Sequence, residues 1–120
     1  MWDVEVTGEF GAWYAALDPG AADAVGAAVD VLAEEGPTLG RPLVDRISGS
    51  GYHHLKELRV SAGGRRLRVL FAFDPRGTAI LLLGGDKTGK WTTWYNDAVP
   101  RADALYESYL DELRDEGDLP

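Results

Sequence analysis

The residues with most chemistry to offer lie in the middle of the chain. Positions 41–90 hold ten basic side chains against four acids, whereas residues 1–40 hold eight acids and no base. Residues 91–120 add eight acids and two bases, so a net charge of −8 conceals a central segment carrying +6. Arg59, Arg66, Arg68, Lys87 and Lys90 are cations that a sheet and one loop could gather around a phosphate. Two such groups beside a scissile phosphate hold the charge that develops as RNA is cleaved. The 2′-hydroxyl of RNA then serves as the nucleophile and no cofactor is required. That chemistry also wants a base near the hydroxyl and an acid near the leaving oxygen. His53, His54, Asp86, Lys87 and Tyr95 are the candidates.

The stretch GGDKTGKW, residues 84–91, comes close to a nucleotide-binding loop. Gly84, Gly89 and Lys90 occupy the invariant positions of G-x-x-x-x-G-K-[ST], but Trp91 replaces the hydroxyl that binds magnesium. The chain also lacks room for the parallel sheet and second aspartate of such an enzyme, since only 30 residues follow Lys90. The glycines of this loop therefore need another explanation. The adjacent pair His53-His54 does not make a metal site, because neighbours on a strand point to opposite faces and no third ligand has suitable spacing. Asp86 at a turn has a bland reading as a cap of backbone amides. Arg65 and Arg66 follow a Gly-Gly turn, where a solvated role competes with RNA binding. Trp91 and Trp94 read as packing groups, and Tyr95 as a residue able to stack on a base.

Elements to position these residues are legible in the periodicity. DVEV at 3–6 alternates like a short strand. Phe10, Trp13, Tyr14 and Leu17, then Val25, Ala28, Val29 and Leu32, mark two helical faces, and Asp18-Pro19-Gly20 separates them. Residues 8–35 form a helical hairpin on this reading. The segment 37–51 is an irregular connection with one turn around Leu43–Ile47. HHLKELRV, RRLRVLFAFD and TAILLLG are three strands joined by turns too short for parallel pairing. Leu67, Val69, Phe71 and Phe73 face one side of the middle strand, and Arg66, Arg68, Leu70 and Ala72 the other. A short helix holds Trp91, Trp94 and Tyr95, and Pro100 opens a further helix whose stripe is Ala102, Leu105, Tyr106, Tyr109 and Leu113. Helices cover one sheet face, and the other is at least partly open. The chain has no cysteine, its N-terminus is acidic where a signal peptide is basic, and AILLL is far too short to span a bilayer. A cytoplasmic location with no membrane partner is the expectation.

LKELRV, RRLRVLFAFD, AILLLGGDKTGKW and PRADALYESYLDEL, in that order, resemble the RelE/HigB superfamily of type II toxin–antitoxin toxins, in the branch related to phage Gp49-like proteins. The resemblance covers nearly the whole chain. It implies an α+β, RelE-like fold with two N-terminal helices packed on a small, mainly antiparallel sheet, followed by a C-terminal helix. Residues 1–120 would form one domain with a loose tail from about 115. It further implies a ribosome-dependent mRNA endonuclease without metal, leaving a 2′,3′-cyclic phosphate. The implied partners are mRNA on the ribosome and a cognate antitoxin with a helix-turn-helix domain, through which alone the toxin meets operator DNA. By the family pattern Arg68, Arg59 and Lys87 are catalytic. Lys56 matches the L-K-E-L-R motif as a substrate contact, together with Arg66, Lys90 and His54, although Lys56 and Arg59 fall on opposite strand faces. The tyrosine or histidine that many relatives carry near the C-terminus has no counterpart after Tyr109, and Tyr95 is the candidate substitute. Two other readings compete: a toxin-derived protein that only binds an antitoxin, and a gyrase-inhibiting member of the superfamily.

Overall fold

The computed structural model describes residues 1–50 and 55–119. The candidates His53 and His54 lie outside them. The architecture is α+β, in the order β1 (Val4–Val6), α1 (Gly8–Ala15), α2 (Pro19–Glu35), β2 (Val44–Arg46), β3 (Lys56–Ala62), β4 (Arg65–Phe73), β5 (Ala79–Asp86) and α3 (Thr93–Asp115). The five strands make one sheet in the order β1-β5-β4-β3-β2. β2 to β5 pair antiparallel in succession, and only the edge strand β1 is parallel to its neighbour, β5, from which it is separated by the helices and the other strands.

The helical hairpin starts where side-chain caps allow. Thr7 accepts the amide of Phe10, and Asp18 accepts that of Ala21 with Pro19 following at the first helical position. The buried face of the pair, Phe10, Ala21, Val25, Ala28 and Leu32, packs on Leu58, Val60, Leu67, Val69, Phe71 and Leu81.

Three expectations are corrected. The second sheet face is more fully covered than expected, because α3 lies on it and buries Ala98, Val99, Ala102, Tyr106 and Leu110 against Leu70, Ala72, Ile80, Leu82 and Leu83, while Arg59 stays partly exposed at its edge. The two helices expected after the glycine loop are one, running through Pro100. The proline ring is exposed while Ala98, Val99 and Ala102 on either side are buried, so packing outweighs the lost backbone bond. The turn expected around Leu43–Ile47 contains the edge strand β2, paired with β3 through Val44–Leu58 and Arg46–Lys56.

A register shift between β4 and β5 sets the geometry of the next segment. Leu70 faces Leu83 and Phe71 faces Leu81, so Leu82 is an extra residue in β5. Beyond it, Gly84 pairs with Val69 and Gly85 with Arg68. A Cβ at Gly84 would lie 2.2 Å from the Trp13 ring, and one at Gly85 would lie 2.5 Å from Trp94 Nε1. The double glycine leaves room for one tryptophan against each face of the strand. That is the explanation the loop required, and it involves no phosphate.

Candidate functional site

Arg59 and Arg68 are direct cross-strand partners on the α3 side of the sheet. Like charges so placed repel unless an acid intervenes. Glu57, two residues before Arg59 and so on the same face, supplies it. Its Oε1 lies 3.1 Å from Arg68 Nε and 3.9 Å from Arg59 Nε, and it accepts a 2.6 Å hydrogen bond from the Tyr95 hydroxyl. Glu57 and Arg68 are both buried, at 5% and 7% exposure. Arg59 also reaches Asp45 of β2 at 3.2 Å, and Arg68 Nη1 donates to the Leu67 carbonyl.

The cluster is crowded with charge yet short of aligned acceptors. Among the described residues, the buried Nε groups of Arg59 and Arg68 make no hydrogen bond. The 3.1 Å approach of Arg68 to Glu57 is thus an ion-pair distance with the N–H aimed off line. Donors of this kind carry a desolvation cost, and their positive charge stays only partly balanced.

Lys87 and Tyr95 border the cluster. The Lys87 ammonium sits 5.1 Å from the centre of the Tyr95 ring. Burial lowers the pKa of Lys87 below its ordinary value, and the Arg68 charge adds to that, while Glu57 acts in the opposite sense. Burial, the hydrogen bond to Glu57 and the charge of that carboxylate push the Tyr95 phenol up to about 12. At neutral pH the phenol is therefore a protonated donor, not a base. An open cleft of about 430 Å³ runs alongside, lined by Asp45, Ile47, Glu57, Arg59, Tyr95 and Asn96 among others.

The remaining sequence candidates divide. Arg66 and Lys90 are exposed beside the same loop, with the Arg66 guanidinium 5.2 Å from the Trp91 ring centre. Lys56 lies on the opposite face, where its ammonium sits 5.6 Å from the Phe73 ring centre and bonds the Pro37 carbonyl at 3.4 Å. The structure thus brings Arg59, Arg68, Lys87 and Tyr95 together and leaves Lys56 apart. Asp86 takes its bland role, accepting the Thr88 amide at 2.9 Å and hydroxyl at 2.5 Å. Glu57 was missed by sequence reasoning, although two arginines facing each other across a hairpin were a signal that an acid must join them. Trp91 was misread as a packing group: it is 57% exposed. Among the described residues no group of three His, Cys, Asp or Glu side chains could hold a metal ion, and no helix is long and apolar enough to cross a membrane.

The family model for Phage derived protein Gp49-like (DUF891) matches residues 12–107, and the chain belongs to that family. It is a toxin-like protein of the RelE/HigB superfamily. Over 98 residues it is 51% identical to a Mycobacterium tuberculosis protein named "Putative toxin HigB3", covering 82% of this chain and 84% of that one. It is 44% identical over 115 residues to "Putative toxin HigB2" of the same organism, covering 95% of this chain but only 57% of the relative. No solved structure matches the chain.

Proposed function

We propose that the chain is the toxin of a type II toxin–antitoxin pair and that it cleaves mRNA on the ribosome. The observation that carries this reading is the gathering of Arg59, Arg68 and Lys87 around Tyr95 and Glu57 in a protein whose net charge is −8. A concentration of cations on one face of an otherwise acidic molecule suits a polyanion better than an apolar partner.

In this mechanism the RNA 2′-hydroxyl gives up its proton to water as its oxygen attacks the adjacent phosphorus, the bond to the 5′-oxygen breaks, and a 2′,3′-cyclic phosphate remains. Arg59, which lines the cleft, and Arg68, buried behind it, set positive charge against the non-bridging oxygens as negative charge builds there. Glu57 positions both guanidinium groups and the phenol. Lys87 delivers a proton to the departing 5′-oxygen, a task that its lowered pKa favours. No step calls for a metal. The homology to HigB toxins supports a cognate antitoxin as the physiological partner, and a helix-turn-helix domain on that antitoxin would account for operator binding.

The test is to map RNA 5′ ends across the transcriptome after brief induction without antitoxin, with Arg68→Ala as the control. In-frame ends inside translated messages, absent from the control, are the expected result. An accumulating, folded wild-type chain that yields no new ends would remove the nuclease reading and bring gyrase inhibition or a purely binding role forward.

A further inference from the structure

Trp91 is an exposed tryptophan that the fold holds out at a cost. It is the one described residue other than glycine with positive φ, at 31°. A bulky side chain there is strained, and such strain persists only where the surroundings enforce it. Here they do. Arg66 N–H donates to Thr88 Oγ1 at 2.7 Å, Lys87 N–H to the Arg66 carbonyl at 2.9 Å, and Lys90 N–H to the Lys87 carbonyl at 2.8 Å. Thr93 then closes the loop with two bonds to the Lys90 carbonyl, each 2.8 Å. Among these anchors, in a run exposed from Thr88 to Thr93, Trp91 is the one large apolar side chain, and it stands more than half in water.

Two cations attend the ring. The Arg66 guanidinium lies 5.2 Å and the Lys87 ammonium 5.4 Å from its centre. Lys87 is simultaneously 5.1 Å from the Tyr95 ring, so one ammonium joins the exposed indole to the Glu57–Arg68 cluster. A flat aromatic surface edged by positive charge fits a nucleotide, whose base stacks while its phosphates meet the cations. An apolar protein surface would leave both cations desolvated without acceptors.

We infer that Trp91 is a stacking platform for a nucleobase of the RNA next to the scissile phosphate, with Arg66 holding a flanking phosphate and Lys87 joining the platform to the scissile one. This rests on the nuclease reading and adds a base-binding subsite to it, one that gives cleavage a modest preference for a strongly stacking base at a set distance from the cut.

The test uses Trp91→Gly and Trp91→Phe in the same 5′-end mapping, beside wild type, with thermal unfolding of each purified chain. Glycine adopts positive φ freely, so Trp91→Gly should melt at or above the wild-type temperature. Its cleavage should nonetheless fall between about five-fold and a hundred-fold, the span of one lost base stack. The base bias at the affected position should flatten, and Trp91→Phe should restore most of both. A Trp91→Gly chain that cuts with wild-type yield and bias overturns the platform and leaves the nuclease standing. If that chain cuts normally but escapes neutralisation by antitoxin, the indole is a protein contact and the inference is equally overturned. A wild-type chain that cuts nothing removes the nuclease reading and the platform together.

Discussion

Two arginine–carboxylate clusters are built on β4, and they are satisfied to different degrees. Past its end, Asp74 accepts the amides of Arg76 and Thr78 at 2.8 and 3.1 Å and the Arg76 side chain at 3.0 and 2.9 Å. Arg76 in turn donates to the Tyr109 hydroxyl at 3.1 Å and lies 3.6 Å from Glu5. Near the start of the strand, Glu57 serves Arg68, Arg59 and Tyr95 through a single oxygen, and two buried Nε groups lack aligned acceptors among the described residues. The first cluster is closed on itself and ties a turn, a strand and a helix together. The second has donors in excess beside an open cleft. Composition alone would not separate them, since both are arginine with acid; the count of satisfied hydrogen bonds does.

The largest expected effect follows from the open cluster. Arg68→Lys keeps the charge but loses the forked donors, and cleavage should fall on the order of a hundred-fold while the chain stays folded. Arg76→Lys should leave cleavage per folded molecule unchanged. If the two variants lose cleavage equally in the 5′-end assay, the contrast between the clusters collapses. Next in size, Asp74→Ala should cost roughly 3 kcal/mol in urea unfolding, because it strips two backbone amides and a cation of their shared acceptor.

Gly85→Ala sharpens the boundary of the site. The added methyl meets Trp94 beside Arg68, so a loss of about 1–3 kcal/mol is expected, read from the urea midpoint. Gly84→Ala should cost a similar amount through Trp13, on the face without the arginines, and should spare cleavage in the surviving folded fraction. The smallest effect is spectroscopic. In an alkaline ultraviolet titration one tyrosine should ionise at about 12, and Tyr95→Phe should remove that step. Because the folded phenol binds its proton more tightly than the unfolded one, whose ordinary value is 10.0, this contact should lose stabilising power as pH rises from 10.0 to about 12. A wild-type chain without that late step would mean that Glu57 does not hold Tyr95.

Much of this was legible beforehand because alternation and helical spacing are local rules. The residues facing α1 and α2 from β4, the two cap-separated helices and the opposition of Lys56 to Arg59 all follow from counting by two or by 3.6. Less legible were features that require two segments at once. Pro100 read as a helix start because the packing of Ala98 and Val99 that carries the helix through it belongs to the sheet beneath. Gly84-Gly85 imitated a phosphate loop because their true neighbours lie on opposite faces, Trp13 from the first helix and Trp94 from the last, and neither contact shows in the local pattern.

By itself the sequence determined most of the elements, which side of each is apolar, and that positive charge is concentrated between residues 41 and 90. These are properties of spacing and composition, set before any strand finds a partner. Only the tertiary structure decided that α3 covers the second face, that Arg59 and Arg68 share Glu57, and that Tyr95 and Lys87 border them. Those outcomes depend on cross-strand register and on a single extra residue in β5, and a one-residue change of register would carry every side chain to the other face.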